Sequence, residues 1–336
     1  MSLVDLVSPL PLISFQQIME EPLPPIDWVV EQLIAQGDRV MFYGEFGSLK
    51  TWLLLDLALH LAAGIPFLGE FPIPKAKRVL YVDEEMNERT LRRRIKRLGM
   101  GLHLESEKLP FHAVSRVGVR FNYGGAQQLL SVLDETGFDP DVVIVESFRR
   151  VLVGSENDAE DVSDFWRNVE PILKAGKTLI VSHHMRKPHF QGNDSNRNRA
   201  SGSTDILAGA DTGFAIQRLS QDSISLECVK SREAEEVSPF VASMYDTGQD
   251  GPIEMHYEGS REEVQAESSK LDRGIILAQE FMSSAPNRTA ETGTILAYLN
   301  GRGIPERTGQ RVLTTLKKRG RACAVQRGLW QLVEQS

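Results

Sequence analysis

Two glycines, a lysine and a threonine near residue 50 have the spacing of a phosphate-binding loop. Residues 40–43 are apolar or aromatic, Gly44 and Gly47 follow, and Lys50 and Thr51 open an apolar segment. In such a strand, loop and helix, free backbone N–H groups and the positive end of the helix dipole converge on a polyphosphate. Lys50 would contact the β- and γ-phosphates, and the Thr51 hydroxyl would ligate Mg²⁺. The predicted nucleotide-binding residues are Gly44, Glu45, Phe46, Gly47, Ser48, Leu49, Lys50 and Thr51.

One position departs from the usual pattern of a phosphate loop, G-x-x-x-x-G-K-T. Leu49 stands where this pattern has its second glycine. The alternative is an ordinary turn between a strand and a helix, with Lys50 exposed. Because the strand, the loop length, the Lys-Thr pair and the helix coincide, the sequence favours the phosphate loop.

Two further apolar runs end in carboxylates downstream of this loop. Residues 78–82 lead into an acidic cluster that includes Glu84 and Glu85, and residues 141–145 lead into Glu146. Open α/β sheets bind ligands at the carboxyl ends of their buried strands. Glu146 would hold Mg²⁺ directly or through water, at a position where aspartate is usual. Because side chains alternate along a strand, only one of Glu84 and Glu85 should face the phosphate.

A third apolar run, residues 178–182, ends in His183 and His184. The polar stretch 185–204 follows without apolar periodicity, and so long a loop in a compact domain is uncommon unless it is functional. Together with His189, the two histidines raise the alternative of a zinc site. Adjacent strand residues face opposite ways and no cysteine cluster completes four ligands, so one buried and one exposed histidine is another interpretation.

The chain is predicted to divide into four segments. Its Pro-rich opening would either clasp a neighbouring subunit or form a loose tail. A short lead-in helix is expected at 27–36, and antiparallel edge strands are expected within 212–245. The predicted segments are an extension (1–26), an α/β ATPase domain (27–257), a charged linker (258–270) and a C-terminal unit (271–336).

The C-terminal unit has the pattern of a winged helix-turn-helix. Helical spacing occurs at 271–282 and 290–299, and Pro305 begins a third helix rich in Arg and Lys. Two short strands are predicted at 322–326 and 329–333. The third helix would enter the major groove of duplex DNA, and the alternative is a protein-interaction module with a solvated basic face.

Length and composition are compatible with one large α/β domain and a small one. The chain has 336 residues, and 41% of them are hydrophobic. Its net charge of −8 argues against a surface that is basic throughout and binds nucleic acid uniformly. Cys228 and Cys323 offer no disulfide framework, and no signal sequence opens the chain, so a cytoplasmic location is expected. The most apolar segment, 52–69, is interrupted by Asp56 and His60, which predicts a buried helix and no membrane partner.

Four motifs occur in the order seen in RecA-like ATPases, and the sequence resembles this family over residues 27–250. The branch that it is most similar to is the RepA-type hexameric helicases of plasmids, phages and other mobile elements. The resemblance implies a RecA-like α/β core with a mainly parallel sheet and antiparallel edge strands. It also implies a homo-oligomeric ring, expected to be a hexamer, with ATP between subunits and single-stranded DNA in the channel. The motifs are Gly44–Thr51, Arg78–Met86, Val143–Ser147 and Ser182–Lys187.

The resemblance implies roles for individual residues. Lys50 and Thr51 would serve the phosphates and Mg²⁺, and Glu146 would take the place usually held by a metal-associated aspartate. Glu85 would be the general base that orients the attacking water, with Glu84 as its competitor.

The resemblance implies two further roles, one for His184 and one for a cationic residue in or after the loop that follows it. His184 would sense the γ-phosphate and relay its loss to the following loop. The family often has Arg-Gly-Ser after that loop, and here the run is Arg-Ala-Ser, which makes Arg199 the candidate arginine finger for the next subunit's nucleotide. Arg186 and Lys187 are rival candidates, and Lys187, Arg197 and Arg199 would also track the DNA backbone in the channel.

Together these expectations describe a ring ATPase that binds DNA and hydrolyses ATP with Mg²⁺. The expected function is that of a replicative DNA helicase of a plasmid, phage or other mobile element. One alternative is an ATP-switched DNA-binding regulator or recombination mediator without unwinding activity. Another is a non-enzymatic scaffold with a degenerate pocket.

Overall fold

The computed structural model describes residues 12–184 and 205–333. Fourteen strands lie in this part of the chain: β1 (Trp28–Val30), β2 (Ile34–Ala35), β3 (Arg39–Gly44), β4 (Val79–Asp83), β5 (Phe111–Ser115), β6 (Val142–Glu146), β7 (Thr178–His184), β8 (Thr212–Arg218), β9 (Ser223–Lys230), β10 (Phe240–Asp246), β11 (Ile253–Ser260), β12 (Thr289–Glu291), β13 (Ala322–Gln326) and β14 (Leu329–Leu332). Eleven α-helices accompany them there: α1 (Phe15–Glu20), α2 (Lys50–Ala63), α3 (Glu88–Gly101), α4 (Gly125–Thr136), α5 (Phe148–Val151), α6 (Ala159–Asn168), α7 (Glu170–Lys174), α8 (Asp205–Ala208), α9 (Arg261–Ser284), α10 (Thr292–Asn300) and α11 (Glu306–Lys318).

Nine strands form one sheet in the order β11-β10-β9-β8-β3-β7-β6-β4-β5. The strands from β8 to β5 in this order are parallel, and β9, β10 and β11 extend the sheet in antiparallel pairs. The predicted RecA-like core, with a mainly parallel sheet and antiparallel edge strands, is confirmed.

The strand register brings the chemistry-bearing residues to one edge of the sheet. In β3 and β7, Gly44 lies opposite His184, and in β4 and β6, Asp83 lies opposite Glu146. Because β7 lies between β3 and β6, the carboxylate of β6 approaches the phosphate loop from across one intervening strand. Parallel strands end at the same edge, so residues distant in sequence meet there.

The sheet is buried on both faces, which explains the near-continuous apolar strands. Alternating residues of β3 enter different cores, with Phe42 packing on the side of α2, and Tyr43 packing on the opposite side with α6 residues such as Phe165. Helix α2 is buried along most of its length, including Asp56 and His60, as its apolar sequence predicts. Within the described part of the chain, no helix is both long enough and apolar enough to cross a membrane.

The lead-in helix predicted at 27–36 is wrong. This segment forms the antiparallel pair β1 and β2, with Trp28 opposite Ala35 and Val30 opposite Ile34. Valine and isoleucine favour extended backbone because their branched side chains are restricted in a helix. The backbone N–H of Glu31 also donates to Pro72, so a contact distant in sequence holds the hairpin in place.

The C-terminal residues form α9, α10, α11 and a three-stranded sheet of order β12-β14-β13. The predicted three helices and hairpin are therefore present, while the winged-helix assignment and the domain boundaries stay predictions. The segment predicted as a linker, 258–270, is structured: it includes the end of β11 and the first part of α9. Ser260 caps α9 in a capping box with Glu263, which explains why the charged sequence is helical.

Candidate nucleotide site

The loop between β3 and α2 requires a small residue at its start. A Cβ atom on Gly44 would lie 2.5 Å from the carbonyl oxygen of Ile216 on β8 and 2.8 Å from Ser48 Oγ. Gly47, with φ of +77°, has a left-handed backbone that glycine adopts without a steric penalty. The loop thus passes close to β8 and turns sharply towards the helix.

Leu49, the departure from the usual motif, also has a left-handed backbone. Its φ and ψ are 60° and 13°, and it forms the N-cap position of α2. The geometry of this position therefore matches what glycine provides in the usual pattern. Leucine adopts it at a cost of about 1–2 kcal/mol, because its Cβ atom crowds the following carbonyl oxygen.

Lys50 is buried at the start of α2 and reaches back over the loop. Its Nζ donates to the carbonyl oxygens of Gly44 at 2.9 Å and Glu45 at 3.0 Å. Burial lowers the pKa of Lys50 to about 8, against the opposing effect of neighbouring carboxylates, of which Glu146 is the strongest. An anion that entered the loop would favour the charged form of the lysine.

Glu146 is buried at the end of β6 and touches the start of α2. The Thr51 hydroxyl donates to Glu146 Oε1 at 2.6 Å, and the Tyr81 hydroxyl donates to Oε2 at 2.5 Å. Burial raises the pKa of Glu146 to about 7, although both hydrogen bonds oppose this rise. The longer side chain of glutamate therefore reaches the threonine hydroxyl from a position where aspartate is usual.

The structure separates the two adjacent glutamates that follow β4. The carboxylate of Glu84 accepts hydrogen bonds from the backbone N–H groups of Gly118 at 3.1 Å and Val119 at 2.9 Å. Glu85 instead faces the cleft, where the Ser147 hydroxyl donates to its Oε1 at 2.6 Å. The prediction that only one of the two faces the phosphate loop agrees with this arrangement.

Two neighbours of Glu85 keep it ionised. His184 Nε2 lies 3.6 Å from Glu85 Oε1, and this contact and the Ser147 hydrogen bond lower the pKa of Glu85 to about 2. The turn that carries Glu85 is shaped by Asp83, whose Oδ1 accepts from the N–H groups of Glu85 and Met86. Burial raises the pKa of Asp83, although these two backbone hydrogen bonds oppose the rise.

His183 and His184 face opposite sides of β7. His183 is buried against the Phe148 ring, at 5.1 Å between centroids, whereas His184 stacks on Phe46 in the phosphate loop, at 5.7 Å. His189 lies outside the described residues. Of the residues that are described, no three His, Cys, Asp or Glu side chains are arranged to hold a metal ion by themselves.

Three features of the cleft were not anticipated from the sequence. Arg218 on β8 donates to the carbonyl oxygen of Gly47 at 2.6 Å, and the guanidinium of Arg94 lies 4.7 Å from the Trp52 ring centroid. The buried Ser182 hydroxyl has no hydrogen-bond partner among the described residues. Of these residues, only Ser182 belongs to one of the four motifs, Ser182–Lys187. The arginines come from elements whose approach to the loop is set by the tertiary fold.

A cleft of ≈ 360 Å³ is lined by Lys50, Thr51, Glu85, Glu146 and their neighbours, and the chemistry of these groups suits a magnesium nucleotide. Mg²⁺ is commonly held by a hydroxyl, one or two carboxylates, phosphate oxygens and water. Thr51 and Glu146 supply the hydroxyl and the carboxylate. The other predicted cationic residues, Arg186, Lys187, Arg197 and Arg199, lie outside the described residues.

The fold and this cleft define a RecA-like P-loop ATPase. The model of the AAA_25 family, described as an AAA domain, matches residues 7–189, which is more than half of the chain. The chain belongs to this family.

Several solved structures are similar to part of this chain. A DnaB-like replicative helicase, studied with its primase interactions, is 12% identical over 65% of this chain and 59% of its own, with a TM-score of 0.48. FlaH, a flagellar accessory protein from Methanocaldococcus jannaschii, is 16% identical over 66% of this chain and 90% of its own, with a TM-score of 0.42. A KaiC-like protein from Pyrococcus horikoshii is 15% identical over 70% of this chain and 96% of its own, with a TM-score of 0.45.

The chain therefore spans 59% of the length of the DnaB-like helicase. The comparison with curated proteins gave no match.

Proposed function

We propose that this protein hydrolyses ATP with Mg²⁺ and acts as a replicative DNA helicase in a homo-oligomeric ring. The observation that carries the proposal is the convergence of Lys50, Thr51, Glu85 and Glu146 on one cleft at the carboxyl edge of the sheet. Membership in the AAA-domain family supports the ATPase activity. The helicase activity, the hexameric ring and the mobile-element origin rest on the motif resemblance, and the expected cytoplasmic location rests on the cysteine usage.

Each residue of the cleft would contribute positioning or charge. Lys50, moved from its loop carbonyls, would neutralise the β- and γ-phosphates, while Thr51 and Glu146 would hold Mg²⁺. The bound ion would supply additional positive charge at the phosphates. A cation from a neighbouring subunit, for which Arg199 is the candidate, would complete the charge stabilisation.

The low pKa of Glu85 indicates how this residue would act. A carboxylate with a pKa of about 2 is ionised at neutral pH and is a weak proton acceptor. Its main contribution would be to hold the attacking water in line with the γ-phosphate, and phosphoryl transfer requires little more than such positioning. His184, which contacts both Glu85 and the loop residue Phe46, would register the presence of the γ-phosphate.

Exchange of single carboxylates tests the ATPase mechanism. We expect Glu85→Gln to retain ATP binding and to lose at least about 100-fold in kcat, because the neutral amide orients water poorly. Glu84→Gln is the matched control, since its side chain contacts the 118–119 backbone, and its kcat should stay within a few fold of wild type. Lys50→Ala should lose nucleotide binding. Wild-type turnover by Glu85→Gln would remove this residue from the mechanism.

A second candidate function keeps the ATPase but omits unwinding. The exposed basic residues of α11, among them Arg307 and Lys318, favour an ATP-switched regulator or recombination mediator that binds duplex DNA through the C-terminal unit. Displacement of a labelled strand from a forked DNA separates the two candidates. ATP-dependent displacement by wild type, lost in Lys50→Ala, supports the helicase, and duplex binding without displacement supports the regulator.

A further inference from the structure

Tyr81 lies in the middle of β4, the strand next to β6 in the sheet. In the register of β4 and β6, Tyr81 lies opposite Ile144, two residues before Glu146. Residues two apart on a strand share a face of the sheet, so the side chains of Tyr81 and Glu146 project to the same face. Tyr81 is fully buried there, in the core on the α2 side.

The Tyr81 hydroxyl engages one of the two carboxylate oxygens of Glu146. It donates to Oε2 at 2.5 Å, while the Thr51 hydroxyl donates to Oε1 at 2.6 Å. Each oxygen therefore has a hydroxyl donor from a different element, β4 for Oε2 and α2 for Oε1. A planar carboxylate that accepts at both oxygens cannot rotate about its last bond without losing a hydrogen bond. Tyr81 thereby keeps Oε1 turned towards Thr51.

Groups that lie behind a metal ligand orient that ligand. A ligating carboxylate is itself hydrogen-bonded, and removal of such a partner costs about 10–100-fold in metal affinity. In this chain the two candidate ligands of Mg²⁺, Thr51 and Glu146, already touch, and the Tyr81 hydroxyl contacts the second of them. Both candidate ligands line the nucleotide cleft, whereas Tyr81 does not. Any effect of the Tyr81 hydroxyl on a bound ion would therefore pass through Glu146.

We propose that Tyr81 is a positioning residue for Mg²⁺. Its hydroxyl holds Glu146 in the orientation in which Oε1 faces Thr51, and it thereby raises the affinity of the nucleotide site for the ion. Glutamate is longer by one methylene than the aspartate that is usual at this position, and its carboxylate lies between the two hydroxyls. The inference rests on the proposed function, because it takes Thr51 and Glu146 as the residues that hold Mg²⁺.

Tyr81→Phe tests this role because it removes the hydroxyl and keeps the ring. Anisotropy of a fluorescent ATP analogue gives the affinity of the full chain with saturating Mg²⁺ and in EDTA. The ratio of these two affinities measures the contribution of the ion. We expect Tyr81→Phe to lower this ratio about 10-fold and to leave the affinity in EDTA within about 2-fold of wild type, since the phosphate loop is unchanged. An unchanged ratio would overturn the inference.

Tyr43→Phe is the matched control. Tyr43 is as fully buried as Tyr81, but it lies on β3 in the core on the opposite side of the sheet. We expect this variant to keep the wild-type ratio, because the hydroxyl that it removes is remote from Glu146. An equal fall of the ratio in Tyr43→Phe and Tyr81→Phe would mean that loss of any buried hydroxyl perturbs the site, and it would overturn a specific role for Tyr81.

A double-variant cycle shows whether Tyr81 acts through the carboxylate. In a Glu146→Gln background, we expect Tyr81→Phe to change the ratio less than about 2-fold, because the group that it positions is no longer a carboxylate. The same fall in both backgrounds would show that Tyr81 acts elsewhere and would contradict the inference. These measurements report binding and do not depend on turnover. A wild-type protein that shows the expected ratios but hydrolyses no ATP would contradict only the proposed function.

Discussion

Leu49 illustrates how one residue can depart from a motif without changing its geometry. The left-handed backbone at this position is the conformation that glycine would provide, and leucine adopts it at an energetic cost. The side chain is half-buried and packs against the core on the α2 side, which offsets part of that cost. The departure therefore leaves the path of the loop intact.

Comparison of Leu49→Gly with Leu49→Ala measures this backbone cost. Both variants lose the leucine side chain, but only glycine removes the clash between Cβ and the backbone. We expect Leu49→Gly to exceed Leu49→Ala in free energy of unfolding by about 1 kcal/mol, measured by urea denaturation. Equal stability of the two variants would show that the left-handed conformation is not strained.

Glu146 makes the folding stability of the nucleotide-free protein depend on pH, and the direction of this dependence follows from its raised pKa. Its ordinary pKa is 4.5, and burial raises it to about 7 in the folded chain. Below pH 4.5 the carboxyl is protonated in both states. As the pH rises through about 7, the unfolded chain has already released its proton while the folded chain must ionise a buried group, so stability is lost.

The variant Glu146→Gln isolates this contribution because an amide does not titrate. We expect the wild type to lose up to about 3 kcal/mol of unfolding free energy relative to Glu146→Gln between pH 4.5 and about pH 7.5, without nucleotide. Urea denaturation of both proteins across this range is the measurement. A constant difference between them would contradict the raised pKa of Glu146.

At the scale of elements, one buried arginine joins helix α3 to the hairpin of β10 and β11. The Arg97 guanidinium donates to the carbonyl oxygens of Gly251 at 2.7 Å and Gly248 at 2.6 Å, and to Asp246 Oδ1 at 2.5 Å. Its side chain is 10% exposed. One turn earlier on α3, Arg93 pairs with Asp250 of the same hairpin, but both side chains are more than half exposed.

This pair of arginines makes a matched experiment. Arg97→Met keeps an apolar stem but leaves two carbonyl oxygens and a carboxylate without their partner, so we expect a loss of about 2–4 kcal/mol in unfolding free energy. Arg93→Met removes an exposed ion pair and should cost less than about 1 kcal/mol. Equal losses measured by urea denaturation would mean that burial does not distinguish the two contacts.

At the scale of the whole molecule, the net charge of −8 means that DNA would bind to a local basic surface and not to the protein surface as a whole. The proposed duplex-binding surface is the exposed face of α11, which carries Arg307, Gln310 and Thr314. Side chains of these types contact phosphates and base edges when a helix lies in a major groove.

Charge reversal on two helices tests this surface. We expect Arg307→Glu to weaken duplex binding at least 10-fold and to lower the slope of log K against log salt concentration, because phosphate contacts are lost. Arg273→Glu, the same change at an exposed position of α9, should have a much smaller effect. Fluorescence anisotropy with a labelled DNA hairpin is the measurement, and equal weakening by both variants would contradict a site on α11.

The sequence alone determined the strand, loop and helix around Lys50, the parallel strands that end at or shortly before Glu85, Glu146 and His184, and the three helices and hairpin of the C-terminal unit. These features are encoded by side-chain periodicity and by consecutive residues, so neighbours in the chain suffice to specify them. Strand alternation predicted that Glu84 and Glu85 would face different sides. Both residues lie in the turn after β4, and their separation is held by hydrogen bonds to the 118–119 backbone and to Ser147.

Only the tertiary structure decided the rest. Residues 27–36 form a hairpin where a helix was expected, and the hydroxyl groups of Tyr81 and Thr51 contact the two carboxylate oxygens of Glu146. The tertiary structure also brings Arg218 to the phosphate loop. The physical reason is that these contacts join elements distant in the chain, and their energies depend on burial and strand order, which no local pattern of residues specifies.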